Sequence, residues 1–178
     1  MMVWVVVCVL IALGAFVGIT FNELVASRNR VRTAWADIDV QLQRRHDLIP
    51  QLAAVVKGYA DHENETLVAI AALRAKAQQE NSVAEKSAVE SQLGAQMNRV
   101  IAIQERYPDL KANQNFLELQ RELVSTEDKL QAARSAYNDV VRAYNTQIQN
   151  FPDVVIAKPF GFRAMDYFQA ENTARVKL

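Results

Sequence analysis

The chain opens on a stretch with no polar helical face. From Val3 to Phe21 it is built of Val, Leu, Ile, Ala, Gly, Phe, Trp and Cys, with Thr20 its only hydroxyl, and no side chain before Glu23 carries charge. A helix needs about 20 apolar residues to cross a ~30 Å hydrocarbon core, so residues 1–22 are expected to be a transmembrane anchor. Trp4 and Phe21 stand near its two edges, where an aromatic ring suits the interface. A cleaved signal peptide would start with a basic region, and Met1-Met2-Val3-Trp4 has none. A buried core helix is the less favoured alternative, because every face of the segment is apolar. The span is therefore expected to remain attached.

After the anchor the apolar positions recur at alternating steps of four and three. Val31, Trp35, Ile38, Leu42, Arg45, Ile49, Leu52, Val56 and Tyr59 form one seam, with Arg45 its only charged member. Extended backwards through Arg28, Leu24, Phe21 and Val17 the phase holds, which predicts that the anchor runs into the first bundle helix without a linker. Pro50 has no N–H for the carbonyl of His46 and its ring crowds that carbonyl, so a kink or break is expected between Arg45 and Pro50. Gly58 and the polar run 61–65 read as a stop and restart. A second helix is expected over about Glu63–Gln79, turning Leu67, Ile70, Leu73 and Ala77 inward. Ser82 and Glu85 stand at capping-box spacing before a third helix that buries Val89, Leu93, Met97, Val100 and Ile103. It ends at Tyr107-Pro108.

Asn113 is expected to cap a long fourth helix with the seam Phe116, Leu119, Leu123, Thr126, Leu130, Ala133, Tyr137, Val140, Tyr144, Gln147 and Phe151, and Pro152 ends it. Four amphipathic helices with short connections predict an all-α protein, an antiparallel four-helix bundle over residues 23–151. Only Val154-Val155-Ile156 carries a strand signal. From 152 to 178 the periodicity is lost, yet Phe160, Phe162, Tyr167 and Phe168 are too aromatic for a solvated linker. This tail is expected to pack back on the bundle.

Composition adds limits more than function. The 178 residues hold 20 basic and 20 acidic side chains, so no net charge draws nucleic acid. Five glycines and four prolines suit long helices. The lone Cys8 excludes an intramolecular disulfide. Arg28, Arg30 and Arg32 follow the span against a single Glu23, which predicts an N-terminus outside and a cytoplasmic C-terminal domain.

The densest polar word is Arg44-Arg45-His46-Asp47, four residues wide and just ahead of Pro50. One reading makes it a kinked docking site, since arginine offers forked donors to a carboxylate or phosphate. The structural reading pairs Arg45, on the seam, with an acidic residue of the fourth helix such as Glu122 or Glu127, because a buried charge needs a partner. His46, Asp47, His62 and Glu63 lack the i, i+4 spacing of a helical zinc site, so solvated or capping roles are expected for them. Tyr137-Asn138 and Tyr144-Asn145 recur one heptad apart, as packed rings with Asn available to their hydroxyls. No serine lies in a G-x-S-x-G setting. No catalytic residue, metal or cofactor is implied.

Several of these words together resemble the LemA family of bacterial membrane proteins. They are Arg28-Asn29-Arg30-Val31 with Ala34-Trp35, the run from Ile38 to Pro50, Gly58-Tyr59-Ala60 with His62-Glu63, and Tyr107 to Asn113. Further on come Phe116 with Leu119-Gln120, Glu127, Tyr137-Asn138 with Val140, Tyr144-Asn145, Phe151-Pro152 and Phe160-Gly161-Phe162. The resemblance spans nearly the whole chain and implies a single N-terminal membrane helix with a helical C-terminal domain. It implies no activity and assigns no site residue. The expected role is a membrane-anchored scaffold or adaptor, with the lipid bilayer, unidentified proteins and a possible second copy of the chain as partners. A sensor or signal relay is the alternative, and a metal-assisted hydrolase a remote one.

Overall fold

The computed structural model describes residues 1–168. Its first helix, α1 (Met2–Lys57), is unbroken from the apolar span to Gly58, as the continuous seam requires. After a 3-10 turn over Asp61–Glu63 come α2 (Asn64–Gln79) and α3 (Val83–Ala102). A second 3-10 turn (Ile103–Arg106) leads into a one-turn helix, α4 (Pro108–Lys111). Then follow the long α5 (Gln114–Gln147) and the short α6 (Val154–Ala157). Among the described residues there is no strand: Val154-Val155-Ile156, too short to pair alone, closes into α6.

Pro50 does not break α1. It removes the N–H that would have bonded the carbonyl of His46, and Nε of Arg74 from α2 donates to that carbonyl instead, at 2.8 Å. The helix thus keeps its proline because a neighbour satisfies the freed oxygen. Asn113 caps α5 as expected, its side-chain oxygen accepting from the backbone N–H of Phe116 at 3.0 Å. Ser82 occupies the N-cap of α3 with extended backbone, but the capping-box hydrogen bond is not made.

The chain divides into two compact units. The larger joins Asp37–Arg134 to the chain from Tyr167. In it α3 runs alongside α1 in the same direction, since Lys86 pairs with Asp39 and Glu90 with Arg45. α2 and α5 run opposite to α1, which is read from Arg74 on His46, Glu127 on Arg45 and Asn113 on the Tyr59 hydroxyl. This is the up-down-up-down four-helix bundle. Its core gathers Ile49, Leu52, Val56, Leu67, Ile70, Leu93, Met97, Val100, Phe116 and Leu123. Leu73 and Leu119 are half-buried against it. Tyr59, placed on the seam by spacing, is 42% exposed because the helix has already ended at Lys57.

The smaller unit joins Met1–Ala36 to Ser135–Asp166. Here α5 buries Tyr137, Val141 and Tyr144, and the turn after it Ile148, where the strict heptad had placed Val140 and Gln147, both half-buried, and Phe151, which is 82% exposed. A straight helix of 3.6 residues per turn drifts about 20° per heptad from a 3.5 repeat, and five heptads accumulate about one residue of slip. The returning chain packs onto α1: the rings of Phe160 and Phe162 lie edge-on to Phe21 at 5.1 and 5.8 Å. The Arg28 guanidinium sits 5.2 Å over Phe162. Between the two phenylalanines Gly161 takes a φ of +72°, a turn that a Cβ would strain. Asn145 clamps the segment from both sides, donating to and accepting from the backbone of Met165 at 2.8 Å each. Tyr137 donates its hydroxyl to the carbonyl of Asp166, not to a neighbouring Asn, at 2.9 Å. Burial, and then Asp166, push its pKa above the ordinary tyrosine value. Phe162 is buried here and Phe160 about half exposed; in the larger unit Phe168 is buried and Tyr167 about half exposed. Residues 169–178, the remainder of the expected tail, lie outside the described residues.

Candidate functional site

The word Arg44-Arg45-His46-Asp47 is split by the helix into an outer and an inner pair. Arg44 is half exposed and reaches Glu122 of α5 at 2.8 Å. Asp47 is exposed and accepts from Gln43 one turn back at 2.9 Å. Pairs of this kind on the surface contribute little. Pro50 is exposed and acts through the carbonyl it frees.

Arg45 and His46 point inward, with 1% and 3% of their surface exposed, and meet on one carboxylate. That carboxylate is Glu90 of α3, 0% exposed. One terminal nitrogen of Arg45 donates both to the Glu90 carboxylate and, at 3.0 Å, to its backbone carbonyl. The other donates to Glu127 of α5 at 3.1 Å. Nε2 of His46 lies 2.7 Å from the second Glu90 oxygen. Glu127 also faces Arg134 at 3.9 Å. Three helices are therefore tied by one polar knot, buried at Arg45, His46 and Glu90 and half exposed at Glu127.

Burial raises the Glu90 pKa, but the hydrogen bond from His46 and the charge of Arg45 outweigh it and hold the carboxyl below its ordinary 4.5. Arg134 is held below the usual arginine value by burial and by Arg45, with Glu127 and Glu90 opposing. The Nε atoms of Arg45 and Arg134 are buried with no hydrogen-bond acceptor among the described residues.

His46, for which the lack of metal-site spacing had left a solvated or capping role, is an interior partner of Glu90. Of the acidic partners expected for Arg45, Glu127 pairs with it and Glu122 takes Arg44 instead. Glu90 was missed, although the signal was present. It precedes Leu93 by three and Met97 by seven, the same seam spacing that singled out Arg45.

Beside the knot lies a cavity of about 320 Å³ between α3 and α5. Met97, Ile101, Leu123 and Val124 wall it, and Glu127 and Asp128 stand on its α5 side. Gly94 backs onto Arg45, whose nearest nitrogen would lie 3.8 Å from an added Cβ, so a small side chain fits there. Among the described residues no three His, Cys, Asp or Glu side chains gather as a metal site.

An apolar helix long enough to cross a bilayer, continued into a helical bundle with a buried ionic knot, defines a helical membrane-associated protein. Residues 34–178 match the LemA family model. The chain belongs to the LemA family. It is 30% identical over 160 residues to Protein LemA of Metamycoplasma hominis, an alignment covering 87% of this chain and 71% of that one. It is also similar to two magnetosome proteins over a shorter stretch. Magnetosome protein MamQ 2 of Paramagnetospirillum magneticum is 30% identical over 76 residues, covering 43% of this chain and 28% of that protein. Magnetosome protein MamQ of Magnetospirillum gryphiswaldense is 29% identical over 75 residues, covering 42% and 28%. None of these names denotes an enzyme.

Proposed function

We propose that this chain is a non-enzymatic scaffold or adaptor, held at the inner membrane by its first helix, with its bundle in the cytoplasm. The observation that carries this reading is the cavity beside the polar knot. The interior ions are spent on one another and on holding α1, α3 and α5 together. What is left for a partner is a recess in which Met97, Ile101, Leu123 and Val124 form the apolar part and the Asp128 carboxylate stands on the α5 side. Such a recess takes an apolar side chain next to a basic one from the face of a partner helix, or from a second copy of this chain. The orientation rests on Arg28, Arg30 and Arg32 following the span.

The test is affinity isolation of the detergent-solubilised full chain beside a Val124→Asp variant. Val124 lines the cavity and is 54% exposed, so the fold tolerates the change. A defined set of proteins, or the chain itself, should co-purify with the native form and be lost with the variant. Identical sets from both would contradict a partner in this recess.

A signal relay draws support from α1, which carries both the span and Arg45 without interruption. It differs in requiring a change of distance between labels on α1 and α3 when the partner binds. A scaffold requires none.

A further inference from the structure

The cover over α1 begins where its apolar span ends. Upstream of Thr20 its residues are exposed, Val17 excepted, whereas Thr20 and Leu24 are 4% and 0% exposed. At 1.5 Å per residue the stretch from Val3 to Phe21 extends about 28 Å, close to the ~30 Å hydrocarbon core. With the span in a bilayer, Phe21 therefore stands at the boundary between hydrocarbon and headgroups. Phe160 is 5.1 Å from Phe21 and belongs to the same compact unit. The segment 148–163 is consequently brought to the same level.

This segment is oddly made for a protein surface in water. Phe151 is 82% exposed, and Val155 and Phe160 are each 56% exposed. Pro152 and Pro159 beside them are exposed as well. Ile156, Ala157 and Phe162 turn inward and hold the segment in place. Its charges are Asp153, half-buried, and the exposed Lys158 and Arg163. Exposed apolar side chains with a basic margin, fixed at bilayer level, match an element lying in the interface: apolar groups enter the acyl boundary while the cations meet phosphates. Left in water, the same side chains would be an aggregation liability.

We infer that the segment 148–163 is a second membrane contact, in which Phe151, Val155 and Phe160 insert into the interface of the bilayer that α1 crosses, with Lys158 and Arg163 on its lipid headgroups. The unit formed by α1 and the end of α5 is then held at two points, so the chain resists rotation about the anchor helix.

The test uses the full chain with Cys8→Ala and one new cysteine, at Phe151→Cys, at Val155→Cys, or at Arg142→Cys as a control whose side chain is 68% exposed. Each is labelled with an environment-sensitive fluorophore and reconstituted in phosphatidylcholine–phosphatidylglycerol vesicles. Labels at 151 and 155 should emit to the blue of the control and be quenched several-fold less by aqueous iodide. They should also be quenched by lipids carrying a nitroxide on the acyl chain. Iodide quenching equal to the control would overturn the inference. So would shielding from iodide without quenching by the labelled lipid, because a protein and not the bilayer would then cover the patch.

Discussion

Removing Arg45 should destabilise the bundle at its centre. Arg45→Ala leaves the Glu90 carboxylate, 0% exposed, with His46 as its remaining side-chain partner among those described. Breaking a buried ion pair by deleting one member costs about 3–5 kcal/mol, because the other charge stays buried without compensation. For a domain of this size each kcal/mol moves the melting temperature by about 2–4 °C, so a fall of roughly 10 °C is expected. The deficit also depends on pH in a definite sense. In the native protein Glu90 is held below 4.5, so the stability from its ionisation is complete above pH 4.5 and is lost as pH falls below it. Without Arg45 the burial that raises the Glu90 pKa meets less opposition. The variant is therefore relieved, relative to native, as falling pH protonates Glu90. Melting curves of the full chain in detergent, followed by circular dichroism at pH 7 and pH 5, measure both effects. Arg44→Ala, which removes a half-exposed pair, is the control and should move stability by no more than about 1 kcal/mol. A shift for Arg45→Ala within about 2 °C of native, or a deficit that grows on acidification, would refute the reasoning.

Other perturbations probe the same structure. The native protein should lose stability between pH 4.5 and more acidic values as Glu90 takes up its proton, seen as a falling denaturant midpoint. Asn113→Ala removes the α5 cap and its bond to Tyr59, and should cost about 1 kcal/mol in chemical denaturation. Phe162→Ala, at a buried site, should cost about 3 kcal/mol in detergent, against about 1 kcal/mol or less for the half-exposed Phe160→Ala. Protease added to intact cells should spare the bundle, and its digestion without lysis would reverse the proposed orientation.

The helices were legible because their cores are periodic. Val31, Ile38, Leu42, Ile49, Leu52 and Val56 are all buried, and the Asn113 cap forms. What stayed hidden depends on groups remote in sequence. The spacing marked Arg45 as an interior charge and placed Glu90 on the α3 seam, but which acidic residue meets Arg45 depends on the register between α1 and α3, which no local pattern encodes. His46 read as solvated or capping because it lacks metal-ligand spacing, and its burial against Glu90 follows from a residue 44 positions away. Pro50 read as a kink or a break because Arg74, 28 positions from the carbonyl it satisfies, could not be foreseen. The slip from Val140 to Val141 is the fraction of a residue per heptad that a 3.5 repeat ignores. In the tail, aromatic content alone does not tell that Phe162 and Phe168 are covered while Phe160 and Tyr167 stay half exposed.

The scaffold reading is tested most directly by a photo-crosslinking residue at position 124, beside the α3–α5 cavity, in cells making the full chain. Irradiation should give discrete adducts: one at twice the 20.0 kDa of the chain for self-assembly, or bands of other mass for distinct partners. The same residue at Arg142, exposed and outside the cavity lining, should give none of them. No adduct at position 124, or the same adducts from both positions, would contradict a partner docked in this recess.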